Sequence, residues 1–188
     1  MDAIAAIHTR RSVRAFLPTP LDRATIGDLL GDAAHAPFTP VAQSGAWHFA
    51  AILGNARLAG YGARALAFAR DNRPQLRGYE WTDRPGFSVF HGAPAAVIIS
   101  GRLGLPVALE ECTRAGQLLD IAANARGVGA CWIGSPMLWL REPATRAELG
   151  VPEGWIPYAC FALGKPDFDA AMPPRAQRPP LYIDWIGE

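Results

Sequence analysis

The chain has 188 residues, half of them apolar, and its 18 lysines and arginines stand against 17 acids. That length and apolar share suffice for one buried core without disulfide or metal staples, and a net charge of +1 offers no global field for gathering nucleic acid or an anionic membrane. Cys112, Cys131 and Cys160 are odd in number and widely spaced, match neither a disulfide framework nor a zinc ribbon, and read as reduced, mostly buried thiols. The first residues lack the apolar core of a signal peptide, and no stretch approaches the roughly 18 uninterrupted apolar residues that span a bilayer, so a cytoplasmic protein of one domain is expected.

In chain order, Asp2 is placed to cap a short helix holding Ile4 and Ile7. Asp22 caps a second, in which Ile26, Leu29, Leu30, Ala33 and Ala34 recur at one-face spacing. Trp47 to Leu53 predicts a strand, after which Asn55 opens a helix carrying Leu58, Tyr61, Ala65 and Leu66. From Asn72 to Gly92 the pattern dissolves into Pro, Gly, Arg and aromatic residues, too long for a simple connector. Tyr79, Trp81, Phe87 and Phe90 there read either as cover for a substrate pocket or as contacts to a partner subunit. Ala95 to Ile99 is an apolar run suited to a strand buried on both faces. A long helix follows from Val107 to Arg126, with Ala115, Leu118, Leu119 and Ala122 on one face and Gly127 as its left-handed cap. Strands at Gly129 to Ile133 and Ile156 to Leu163 flank a helix from Pro143 to Leu149, and the proline-rich residues from 166 to 188 read as an extended arm. The sum is an α+β sandwich, one mixed central sheet flanked by helices.

Several chemistries drop out at this level. There is no G-x-S-x-G elbow and no H-E-x-x-H, and His8, His35, His48 and His91 lack metal-ligand spacing. Gly127-Val128-Gly129 follows a helix and precedes a strand, the reverse of a dinucleotide turn. What stands out is Arg10-Arg11-Ser12-Val13-Arg14, directly after the first helix. Its three guanidinium groups and one hydroxyl are donors suited to a terminal phosphate, although by charge alone the run reads equally as a solvated basic turn.

Other residues decide between those readings. The run Arg10 to Phe16, R-R-S-V-R-A-F, resembles the opening motif of the nitroreductase family of FMN-dependent oxidoreductases. Ala36-Pro37 with Trp47 and Phe49 is similar to its A-P-S…N-x-Q-P-W-x-F segment, and Gly127 to Gly134 to its G-L-G-x-C-W-I-G. Leu163-Gly164-Lys165-Pro166 matches its L-G-x-P, and Arg178-Pro179-Pro180-Leu181 the R-x-P-L of its C-terminal arm. The motifs fall in the family's order over nearly the whole chain.

The resemblance implies an enzyme that uses NAD(P)H to reduce nitroaromatic, quinone or related small-molecule acceptors by ping-pong hydride transfer through FMN. It implies no catalytic side chain and no metal. Arg10, Arg11 and Ser12 would hold the phosphate and ribityl chain, and Arg14 would approach the pyrimidine edge of the ring, where a cation favours the reduced flavin. Trp132, Ile133 and Gly134 would line the other side, with the amide of Ile133 or of Gly134 directed at flavin N5; plain core packing is the alternative for Trp132. Arg178, or Arg175 in its place, would reach the phosphate from the arm. The family places FMN between the subunits of a homodimer, so Thr39 and Gln43 would come from the partner. This chain departs from the family between Ala36-Pro37 and Trp47, where Phe38 to Ala46 is longer and Gln43 stands for an asparagine, and at Gln117-Leu118, where relatives have Q-N. The acceptor therefore cannot be carried over. Storage of FMN without turnover, or diversion to dehydrogenation, dehalogenation or flavin breakdown, are the other readings.

Overall fold

The computed structural model of the chain describes residues 2–40, 45–72, 80–170, 182 and 184–186. Asp2 and Asp22 cap α1 (Ala3–Thr9) and α2 (Arg23–Ala33), their carboxylates accepting the amides of Ala5 at 2.9 Å and Thr25 at 2.6 Å. There follow β1 (His48–Leu53), α3 (Asn55–Asn72), a 3₁₀ turn over Glu80–Asp83, β2 (Ala95–Arg102) and α4 (Ala108–Ala125). Then come β3 (Gly129–Trp132), α5 (Met137–Leu140), α6 (Pro143–Glu148) and β4 (Trp155–Gly164).

The four strands pair in the order β1-β2-β4-β3, every pair antiparallel. The parallel component that makes the sheet mixed comes from the N-terminal run, through a bridge between Ser12 and Ala130 beside β3. β2 lies inside the sheet and is buried along all of its length except Arg102, which is why its sequence is continuously apolar rather than alternating. Period-two alternation divides its side chains between two cores. Val97 and Ile99, with Phe161 and Leu163 of β4, pack against α2 and α4, while Ile98, Cys160 and Ala162 face α3 and α5. The expected α+β sandwich thus forms, with helices on both faces of one sheet.

Two expectations need adjustment. Ile4 and Ile7 do not face the core, since α1 buries only Ala6 and leaves them 62% and 43% exposed. In α4, Ala115 and Leu119 are fully buried and Leu118 and Ala122 only partly, while Glu111, Gly116 and Asp120 join the buried stripe. Beyond α3, Phe90 is buried and the rings of Trp81 and Phe87, 5.0 Å apart, pack against the core under α3, while Phe87 and Phe90 also line a cavity of about 390 Å³ with Leu58 and Leu66 of α3. The Arg70 guanidinium ties this stretch to α3 by donating to the Thr82 carbonyl at 2.8 and 3.1 Å. Tyr79, Gln43, Arg175 and Arg178 lie outside the described residues. No helix among the described residues is long and apolar enough to cross a membrane.

Candidate functional site

The basic run leaves α1 at Arg10, whose backbone (φ −51°, ψ 138°) turns from helix to extended chain. It is then stitched along the sheet edge. The Val13 amide donates to Ala130 O at 2.9 Å, Leu17 N–H to Lys165 O at 2.9 Å, and Asp167 N–H to Ala15 O at 3.0 Å. Val13 and Phe16 are buried beneath the run. Close approach here requires glycine in both downstream motifs. A Cβ on Gly129 would lie 3.0 Å from Val13 Cγ1, and one on Gly164 would lie 2.6 Å from Pro94 Cδ and 2.9 Å from Phe16 Cδ1. The glycines therefore hold the cluster's backbone against β3 and the end of β4.

Helix α4 arranges what surrounds the run. At Asp120, Oδ2 accepts Arg10 Nη1 at 3.0 Å, pairing side chains 12% and 33% exposed across 110 residues of sequence. Burial raises the Asp120 carboxyl, and the Arg10 guanidinium pulls it back. Arg10 is a third exposed, so solvent screens the pair, while the buried Asp120 carboxylate loses hydration; the two effects oppose, and the pair's main effect is to orient the guanidinium. One turn earlier, Gly116 leaves space for Trp132, whose indole packs 5.1 Å from the buried Phe161 ring and is still 40% exposed. Near the helix start, Glu111 Oε1 accepts both the amide of Thr39 at 2.7 Å and its hydroxyl at 2.8 Å. Thr39, Trp132 and Arg10 are thereby arrayed along one helix over nine residues, or about 13 Å.

The two candidate amides differ. Ile133 N–H donates to Cys160 O at 2.9 Å, whereas Gly134 is exposed and its amide has no acceptor among the described residues. Arg14 is exposed. Burial first, and the Arg14 charge second, hold the His91 imidazole below its usual value, and His91 itself has a left-handed backbone at φ 55°. Burial pushes the Cys131 thiol up, so this cysteine has the character of a core residue rather than of a nucleophile. Arg11 lines a cavity of about 290 Å³ with Thr9, Val13, Asn124, Phe168 and Asp120, the partner of Arg10.

Asp120, Glu111 and Gly116 were not anticipated from sequence. The signal available was their spacing: all three fall on the face that also carries Cys112, Ala115 and Leu119, where a charged residue needs a partner.

The sequence profile of the Nitroreductase family matches residues 7–165. A protein of Methanothermobacter thermautotrophicus, provisionally named NADH dehydrogenase/NAD(P)H nitroreductase, is 26% identical over 88% of this chain and 78% of its own length. Among solved structures, a nitroreductase with bound FMN from Bacteroides fragilis superposes with a TM-score of 0.80 at 27% identity, covering 95% of each chain. One from Desulfitobacterium hafniense, also with bound FMN, does so with a TM-score of 0.78 at 21% identity over 98% of this chain and all of its own. With the motif glycines, the N-terminal run and the fold all in agreement, this chain belongs to the nitroreductase family.

Proposed function

We propose that the protein is an FMN-dependent oxidoreductase that takes hydride from NADH or NADPH and passes reducing equivalents to a nitroaromatic, quinone or related small acceptor. The observation that supports this reading is the pairing of the Arg10–Arg14 run with β3 through Ser12 and Ala130, since β3 ends at the exposed Trp132 and is followed by Gly134, whose amide has no acceptor among the described residues. Guanidinium and hydroxyl donors suit a phosphate monoester, while an exposed indole beside an open glycine suits a flat heterocycle. The donor set therefore fits FMN.

When bound, FMN supplies the ring that accepts and returns hydride. The chain's own residues bind and orient. Arg10, Arg11 and Ser12 hold the phosphate and ribityl chain, with Arg178 or Arg175 reaching in from the arm. Arg14 places positive charge at the pyrimidine edge. Trp132 would exclude water from the opposite side, and because the Ile133 amide is taken by Cys160 O, the Gly134 amide would be the one available to donate to N5.

The working unit is a homodimer. Tyr182, Trp185 and Ile186 are 88%, 86% and 99% exposed on the single chain, and Ile4 is 62% exposed, surfaces that a second copy would cover. Thr39 has both donors on Glu111, so its part at the partner's flavin is to hold the following residues, Gln43 among them, in place.

Anaerobic titration with NADH and NADPH, followed by flavin absorbance, tests the reading. One nucleotide should bleach the bound flavin stoichiometrically, and a nitroarene or quinone should restore the colour. A protein that takes up no FMN overturns the proposal, and a yellow protein inert to both nucleotides points to storage or to a diverted reaction. Sedimentation across dilutions tests the dimer, because a monomer that retains its full complement of FMN would be incompatible with a shared site.

A further inference from the structure

The Arg10–Asp120 pair has a consequence for ligand binding that rests on the assignment of Arg10 to the FMN phosphate. In the chain as it stands, the Arg10 guanidinium already has an anion: Asp120 Oδ2, at 3.0 Å, on a side chain only 12% exposed. The same carboxylate lines the cavity shared with Arg11, so an incoming phosphate meets Arg10 with a second negative group beside it.

We infer that Asp120 is a positioning residue of the phosphate site, a resident counter-ion that orients Arg10 in the empty protein and takes up a proton when the FMN phosphate displaces it. The physical reason is that a carboxylate sharing its cation with a dianion loses part of its stabilisation and gains a like charge at close range. Burial already favours its protonated form. Among the described residues, the other charged or titratable groups on the surrounding segments are His8 on α1, Arg10, Arg11 and Arg14 after it, Cys131 on β3, and Lys165 and Asp167 after β4. Electrostatically, Arg10 acts on Asp120 and Asp120 acts on Cys131, whose thiol burial keeps neutral. Binding coupled to proton uptake weakens as pH rises, by up to about tenfold per unit where Asp120 is ionised in the free protein and protonated in the complex.

The test is dilution of the yellow holoprotein from pH 5 to 8, reading released FMN by fluorescence, for the wild type, Asp120→Asn and Arg10→Ala. The ionisation of the FMN phosphate, with a second pKa of about 6, cancels in the ratio of wild-type to Asp120→Asn dissociation constants. That ratio should rise by about tenfold between pH 5 and pH 8, the variant binding more tightly at the upper end. A ratio independent of pH, or weaker binding by Asp120→Asn at pH 8, overturns the inference. The Arg10→Ala arm separates the two failures: unchanged FMN affinity there removes the phosphate assignment itself, while weakened affinity with a flat ratio removes only the role of Asp120. Should Asp120→Asn fail to fold, the wild type decides alone. Its dilution at pH 7 in weak buffer with an indicator dye should release protons in step with flavin, and release of flavin without protons overturns the inference.

Discussion

Gly116 lies in the interior of α4, where alanine is ordinarily the better helix former by about 1 kcal/mol. Its surroundings reverse that preference. A Cβ there would come 2.9 Å from Phe161 Cε2, 3.0 Å from Cζ and 3.4 Å from Trp132 Cζ3. Phe161 is fully buried and β4 is paired on both sides, by β2 and β3, so the ring has little room to withdraw. Trp132 stands at the sheet edge and gives way first. Overpacking of this kind costs about 1–3 kcal/mol. Set against the gain in propensity of about 1 kcal/mol, Gly116→Ala should be destabilising by up to about 2 kcal/mol, a fall in Tm of up to roughly 8 °C for a chain of this size. Because the displaced indole belongs to the proposed flavin wall, FMN affinity should fall as well. Thermal unfolding of the flavin-free protein and FMN titration of the same samples measure the two effects. A raised Tm, the full propensity gain with no packing cost, would show that the space above Gly116 accepts a methyl group, and would remove close packing as the reason Trp132 sits where it does.

Arg10→Ala should weaken FMN binding tenfold or more, since a hydrogen bond to a charged group contributes about 1.5–3 kcal/mol; unchanged affinity would return the run to a surface turn. Arg14→Gln should lower the midpoint potential of the bound flavin, and an unaltered or raised potential would place that cation away from the pyrimidine edge. Thr39→Val removes one of the two donors on the buried Glu111, whose Oε2 has no partner among the described residues, and should cost about 1–3 kcal/mol in urea unfolding; no change would mean that Glu111 does not hold this segment in solution. Burial pushes the Cys112 thiol up to about 12 from an ordinary 9.0 and raises Cys131 and Cys160 too, so none of the three should react with a thiol reagent at pH 8 until the chain is unfolded. Because these folded-state values lie above the unfolded ones, the associated stability is complete below about pH 9 and lost as pH rises toward 12, which alkaline urea titrations would reveal.

The sequence by itself determined whatever depends on neighbours along the chain. Asp2 and Asp22 cap their helices because a carboxylate three residues before an orphan amide needs no tertiary partner. Gly127 adopts φ 70° at the end of α4 for an equally local reason, and the apolar run of β2 reports burial on two faces wherever the strand happens to pair. The family motifs were legible as a series, and the glycines within them proved to be points where backbone must pass close to Val13, Phe16 and Pro94.

Only the tertiary structure decided the partners. Periodicity states that a face is buried but not against what, so it could not join Arg10 to Asp120 across 110 residues or Thr39 to Glu111 across 72. Nor could it show that the Ile133 amide is taken by Cys160 while that of Gly134 has no acceptor among the described residues, because a strand's hydrogen bonds depend on register, and register between distant segments is fixed by the packing of the whole sheet. The outward turn of Ile4 and Ile7 has the same origin. A short helix with one buried alanine satisfies this chain's core, and its remaining apolar side chains, Ile4 and Ile7, stay exposed.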